Sequence, residues 1–136
     1  MMISTKGRYA LRVMIDIAAN SEGEYVPLKD IAERQGISLK YLEQVIAHLS
    51  RAGLVSGLRG TGGGYRLTKP AEDYTAGEIL YAVEGSLAPI ACLKDMPNAC
   101  PRSESCATLP FWEGYYKVIS DYVDSVKLSD MIKKPR

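Results

Sequence analysis

The sequence predicts a mainly α-helical chain with a small β-hairpin wing, that is, a winged helix-turn-helix followed by a long helix. Three observations predict it. Two short amphipathic segments meet at Gly36, a basic and glycine-dense hairpin signal comes after them over residues 54–68, and an aromatic-rich stripe at helical spacing lies near the end of the chain. A chain of 136 residues with 46% hydrophobic composition has the size of one globular unit.

Ser4 or Thr5 can cap a first helix that carries Tyr9, Ala10, Val13, Met14, Ile17 and Ala18 on one face and stops around Asn20 to Gly23. Pro27 suits the first turn of a second helix of about two turns, with Leu28, Ile31 and Ala32 as its stripe and Gly36 as its stop. Ser38 is a good N-cap for a third, in which Tyr41, Leu42, Val45, Ile46 and Leu49 share a face until Gly53. Two helices meeting at a glycine also describe an ordinary helical hairpin. The residues after Gly53 favour the winged helix: Leu54 to Leu58 reads as a strand, Arg59 to Gly64 as a turn, and Tyr65 to Thr68 as a returning strand stopped by Lys69-Pro70. The glycine-rich turn lacks the Gly-x-x-x-x-Gly-Lys-Ser/Thr and strand-to-helix Gly-x-Gly-x-x-Gly patterns of nucleotide loops.

Thr75 and Glu78 have capping-box spacing at the head of a helix that ends near Gly85. From Pro110 the longest helix carries Trp112, Tyr115, Tyr116, Ile119, Tyr122, Val123 and Val126 at spacings of three and four. These elements divide the chain into a winged helix-turn-helix at 1–84, a cysteine-containing loop at 85–107, a long helix at 108–128 and a tail at 129–136, with a short turn at Ser129 to Ile132 and a frayed end.

The net charge of +1 conceals an asymmetry. Residues 1–70 hold ten Lys/Arg against six Asp/Glu, whereas residues 71–136 hold seven against ten. A positive first half points to a polyanion partner. In a winged helix-turn-helix that partner is double-stranded DNA, with the third helix in the major groove. The exposed positions of its first two turns are Lys40, Glu43 and Gln44, with Tyr41 beside them and Ser38 at the cap. Gln can pair with the edge of adenine, Glu can accept from the amino group of cytosine, and Lys40 suits a phosphate. At the wing, Gly60 and Gly63 let the backbone approach a phosphate, and Arg59 and Arg66 supply charge. His48, the single histidine, lies late on the reading helix and reads as a packing or hydrogen-bonding group. No paired carboxylates, nucleophile-base set or cofactor fingerprint points to an enzyme. No run approaches the roughly 18 apolar residues of a membrane span, and residues 1–6 lack the apolar core of a secretory signal, so a cytoplasmic chain is expected.

Cys92, Cys100 and Cys106 are all the cysteines, spaced C-x7-C-x5-C between prolines at 89, 97 and 101. An odd number in a chain read as cytosolic suits metal or redox chemistry better than a disulfide framework. The gaps are longer than those of zinc knuckles, which leaves zinc, thiol redox and other metal chemistry open.

The chain resembles the Rrf-type bacterial transcription regulators over nearly its whole length. The residues that carry the resemblance are Ser4 to Ala10, Ile31-Ala32, Ile37-Ser38, Tyr41 to Gln44, Leu49, Ala52 to Val55, Arg59-Gly60, Gly63 to Tyr65 and Thr75 to Gly85. The resemblance implies a homodimer on a near-palindromic operator, with Glu43 and Gln44 on the reading helix, Arg59 on the wing and the long helix packed against its twin. In cluster-binding relatives three cysteines in this place hold an iron-sulfur cluster, commonly 2Fe-2S, which implies Cys92, Cys100 and Cys106 as ligands. The fourth ligand is unassigned: Leu109 stands where the best-known member has a histidine, and Arg8 stands where other relatives supply an acid from the partner's first helix. Asp95, Glu104, a water, a small thiol or a group from the partner chain remain as alternatives. Some relatives without cysteines answer to a metabolic-enzyme partner, which is the second reading.

Overall fold

A computed structural model describes residues 3–94 and 104–132. The first helix, α1 (Thr5–Asn20), starts where the Ser4 hydroxyl accepts the Gly7 N–H. It buries Ala10, Val13, Met14 and Ile17 completely, as their spacing requires. Two helices pack across it, α2 (Leu28–Gln35) and α3 (Leu39–Arg51). Between them Gly36 adopts the left-handed conformation, φ 66°, and its N–H bonds back to Ala32 and Glu33, which stops α2 within one residue. Ser38 then accepts the Tyr41 N–H at 3.1 Å and starts α3.

The hairpin comes directly after α3. Strands β1 (Val55–Leu58) and β2 (Gly64–Leu67) pair antiparallel, with Val55 opposite Leu67 and Leu58 opposite Gly64. Val26, just before α2, bridges to Tyr65 through reciprocal hydrogen bonds of 2.8 and 2.9 Å, so the base of the wing is tied to the entry of α2.

A 3-10 turn at Ala71–Asp73 leads to Tyr74, fully buried, and then to α4 (Ala76–Glu84). Thr75 accepts the Glu78 N–H at 3.0 Å. The expected capping box is only half made, because the Glu78 carboxylate turns to Lys69 at 3.0 and 3.1 Å instead of reaching back to the cap. The longest helix, α5 (Leu109–Ser125), lies on α4, and α6 (Leu128–Ile132) returns to α1. The close of α5 is fastened by Ala76 N–H to Val126 O at 2.8 Å and Leu128 N–H to Tyr74 O at 3.0 Å.

The segment expected as a tail is thus partly a docked helix. Five residues are too few to hold a helix in water. The buried Leu128 and the packed Met131 hold this one against the core. Residues 133–136 lie outside the described residues. Among the described residues the architecture is mainly helical with one two-stranded hairpin, as the sequence predicts.

Candidate nucleic-acid interface and cysteine segment

The outward face of α3 is built by burying the opposite one. Leu42, Val45, Ile46 and Leu49 anchor α3 in the core, which turns Lys40, Glu43 and Gln44 outward. These three are exposed, and their side chains make no hydrogen bond or ion pair among the described residues. Ser38 and Tyr41 have structural commitments: the Ser38 hydroxyl caps the helix, and the half-buried Tyr41 ring meets Tyr9 edge-on, centroids 5.6 Å apart at 77°.

The angle of α2, and through the Gly36 turn that of α3, is set by a buried carboxylate. Asp16 on α1 has a side chain only 2% exposed and accepts from Arg34 Nε at 3.0 Å, Arg34 Nη2 at 2.8 Å and Gln35 Nε2 at 2.8 Å. Burying a carboxylate is costly unless its acceptor capacity is used, and three donors use it here.

At the wing, Arg59 and Gly60 are exposed at the tip, and a Gly63 N–H to Gly60 O bond of 2.9 Å closes it. Arg59 points no donor at any acceptor among the described residues. Arg66 does not join it. Arg66 lies two rungs down the ladder, opposite Ser56, with its guanidinium 4.5 Å above the Tyr25 ring. The charge at the tip is therefore that of Arg59.

At the other end of α3, His48 lies between two cations: Lys6 Nζ is 3.2 Å from Nε2, and Arg51 Nη2 is 3.2 Å from Nδ1. Burial first, then the charges of Lys6 and Arg51, hold the imidazole below its ordinary pKa. The expectation of a hydrogen-bonding histidine holds.

Cys92 sits in a 3-10 turn at Ala91–Leu93, and Cys106 lies just ahead of α5, where its carbonyl accepts the Leu109 N–H. Both are half-buried. Cys100 and Asp95 lie outside the described residues, and among the described residues no group of three His, Cys, Asp or Glu side chains converges. The donor chemistry, thiols on either side of a short segment, suits a soft metal centre. Leu109 is buried and offers no ligand atom; Glu104 is exposed.

The two ends of this segment touch the rest of the chain differently. At the end of α4, Glu84 accepts both the backbone N–H and the hydroxyl of Ser4, which caps α1. On α5, the outer face is apolar and exposed: Phe111 63%, Tyr115 45%, Val118 70% and Tyr122 67%. Their spacings of four, three and four place them in one row. The predicted stripe is offset from this row: Trp112, Tyr116, Ile119 and Val123 are half-buried, while Tyr115 and Tyr122 belong to the outer face.

Sequence reasoning missed Asp16, Tyr74 and Glu84. Asp16 carries the one available signal, a charge in the apolar register of α1 between Val13 and Ile17. Nothing local marks the others.

Among the described residues no helix is long and apolar enough to cross a membrane. A model of the Rrf2 family, described as an iron-dependent transcriptional regulator, matches residues 3–134. The chain is 40% identical over 132 residues to the HTH-type transcriptional regulator IscR of Escherichia coli, covering 97% of this chain and 80% of that protein. Among solved structures it resembles CymR, the global cysteine regulator of B. subtilis, with a TM-score of 0.80 at 34% identity, covering 100% of this chain and 99% of that one. It also resembles T. potens IscR, with a TM-score of 0.77 at 40% identity, covering 98% and 87%. These relatives are named as regulators and not as enzymes. With a family match across almost its whole length and a winged-helix fold to go with it, the chain belongs to the Rrf2 family of transcriptional regulators.

Proposed function

We propose that the protein is a cytoplasmic homodimer that binds operator DNA, and that the state of the cysteine segment sets the affinity. The observation that carries the reading is the outward face of α3. Lys40, Glu43 and Gln44 are presented by a fully anchored helix and are committed to nothing else among the described residues. In the major groove Gln44 and Glu43 read base edges, each good pair being worth about 1–3 kcal/mol of discrimination, while Lys40 takes a phosphate. Arg59 at the wing tip, with Gly60 and Gly63 leaving room for the backbone, grips the neighbouring groove or phosphate. Ser38 and Tyr41 serve by holding the first turn in place.

A second copy covers the row Phe111, Tyr115, Val118 and Tyr122. Four large apolar side chains in line on one helix exceed the scattered exposure that a surface ordinarily carries. Two linked reading heads also match a two-fold operator and gain from effective concentration.

Cys92, Cys100 and Cys106 are proposed ligands of an iron-sulfur cluster, 2Fe-2S as in the cluster-binding relatives, for which thiolates are the ordinary protein ligands. When bound, the cluster would supply chemistry sensitive to iron supply and oxidants. The chain's own part is transmission. The segment joins the end of α4, where Glu84 holds the cap of α1, to the start of α5, which carries the dimer face. A change between residues 92 and 106 therefore shifts one reading head relative to the other.

The test starts from duplexes enriched out of a random-sequence library by the full chain, with fluorescence anisotropy then run across salt concentrations. Affinity falls steeply with salt, and Gln44→Ala and Arg59→Ala each weaken the selected duplex about tenfold or more. Failure to enrich any duplex, with protein purified either anaerobically or in air, would overturn the DNA reading. Colourless, iron-free anaerobic protein that resists reconstitution removes the cluster and leaves thiol or zinc chemistry in its place.

A further inference from the structure

We propose that Lys6, His48 and Arg51 form a phosphate seat at the far edge of the reading face, holding one phosphodiester of the operator backbone. The proposal rests on the DNA-binding reading above and assigns that surface a second kind of contact. His48 lies four residues beyond Gln44 and Arg51 seven, so the exposed Arg51 continues the outward stripe of α3 into its last turn and the half-buried His48 lies at its edge toward α1. At 13 residues α3 is about 20 Å long, against a major groove about 12 Å wide. With its first turn at the bases, its last turn reaches the flanking backbone. Lys6 arrives at the same place from the first turn of α1.

Between them the three groups offer a single acceptor. A neutral imidazole has one lone pair and one N–H, so it can accept from Lys6 or from Arg51 but not from both, although each lies 3.2 Å from a ring nitrogen. No carboxylate among the described residues pairs with any of the three. On α4, Glu84 has both oxygens engaged by Ser4. Two like-charged side chains brought to one ring, with no counter-charge, are the arrangement that an acceptor-only anionic edge completes. A phosphodiester presents two such oxygens and spans the gap.

Proton uptake accompanies that contact. In the free protein, burial and the two cations keep His48 neutral near pH 7. A phosphate between Lys6 and Arg51 offsets their charge, the ring takes one proton from solvent, and both ring nitrogens then donate. Affinity therefore falls as pH rises, with a limit of about tenfold per pH unit for one proton.

The experiment uses the full chain and its library-selected duplex, with Kd measured by anisotropy from pH 6 to 8. Wild type binds about five- to tenfold more tightly at pH 6 than at pH 8, and His48→Gln binds with little pH dependence. Lys6→Gln lowers the slope of log Kd against log salt by about one phosphate. A single uncharged methylphosphonate linkage, moved stepwise along the duplex, weakens wild type at one position per half-site where Lys6→Gln and Arg51→Gln are indifferent. Wild-type binding that is independent of pH, or a Lys6→Gln salt slope equal to that of wild type, overturns the seat and leaves the DNA reading standing. Absence of any selected duplex overturns both.

Discussion

Glu84 accepts two hydrogen bonds from Ser4, one from its backbone N–H at 2.7 Å and one from its hydroxyl at 2.8 Å, across 80 residues of chain. The same hydroxyl caps α1 through Gly7. A Cβ on Gly7 would come within 2.6 Å of the Glu84 carboxylate, so the pair also needs glycine beneath it. Glu84→Ala is expected to lower stability by about 1 kcal/mol, since the site is partly exposed. Gly7→Ala should cost a similar amount by displacing the same carboxylate. In urea unfolding, the double variant should be less destabilised than the two changes summed, because each removes the same interaction.

Asp16 tests the frame of the helix-turn-helix. Asp16→Ala leaves the Arg34 guanidinium and the Gln35 amide without their shared acceptor, a loss expected to cost about 3 kcal/mol, below the upper range for buried pairs because Arg34 reaches solvent. Arg34→Ala removes one of the two donor residues and should cost less. Thermal unfolding monitored by circular dichroism gives the ranking, and equal losses would contradict it.

Tyr74 tests the root of the wing. Its hydroxyl donates to Leu54 O at 2.7 Å and accepts from the Thr68 N–H at 2.9 Å, joining the segment before β1 to the segment after β2. Tyr74→Phe leaves these groups unpaired in a buried site and should cost about 2 kcal/mol. The amide of Thr68 should exchange faster with deuterium while the amides in the middle of α1 keep their relative protection.

His48 gives a pH dependence of stability whose sign is fixed. Its native pKa is depressed, so below the ordinary value of about 6.5 the unfolded chain binds more protons than the folded one. Stability therefore rises with pH up to about 6.5 and is lost as pH falls toward the native value. His48→Gln should flatten that limb of the urea midpoint curve and leave the region above pH 7 unchanged.

Much of this fold is legible because single residues announce it. Ser4, Ser38 and Thr75 stand where helices begin, Gly36 stops α2 within one residue, and the glycines at 60–64 mark the turn of the wing. Lys40, Glu43 and Gln44 are legible as outward residues because the apolar register of α3 leaves them no other side. What escapes a sequence reading depends on contacts far apart in the chain. Tyr74 lies in the mostly polar run Ala71 to Thr75 yet joins the buried core, with its hydroxyl bonded to Leu54 and Thr68. Glu78 has capping-box spacing, yet Lys69 offers its carboxylate a full charge in place of a backbone N–H. The outer row of α5 differs from the predicted stripe because α4 takes one side of an apolar face that spans about half of the helix.

The two-way bond between Val26 and Tyr65 restricts how this protein can be regulated. A side chain at Gly64 would collide with the Val26 carbonyl, so the wing is laid against the entry of α2 with no slack between them. The wing and the entry of α2 thus move as one unit. In the dimer proposed above, a signal from the cysteine segment would change where two such units land relative to each other. The wing would keep its seat on the entry of α2 in each, so regulation of the proposed kind would act on spacing between half-sites.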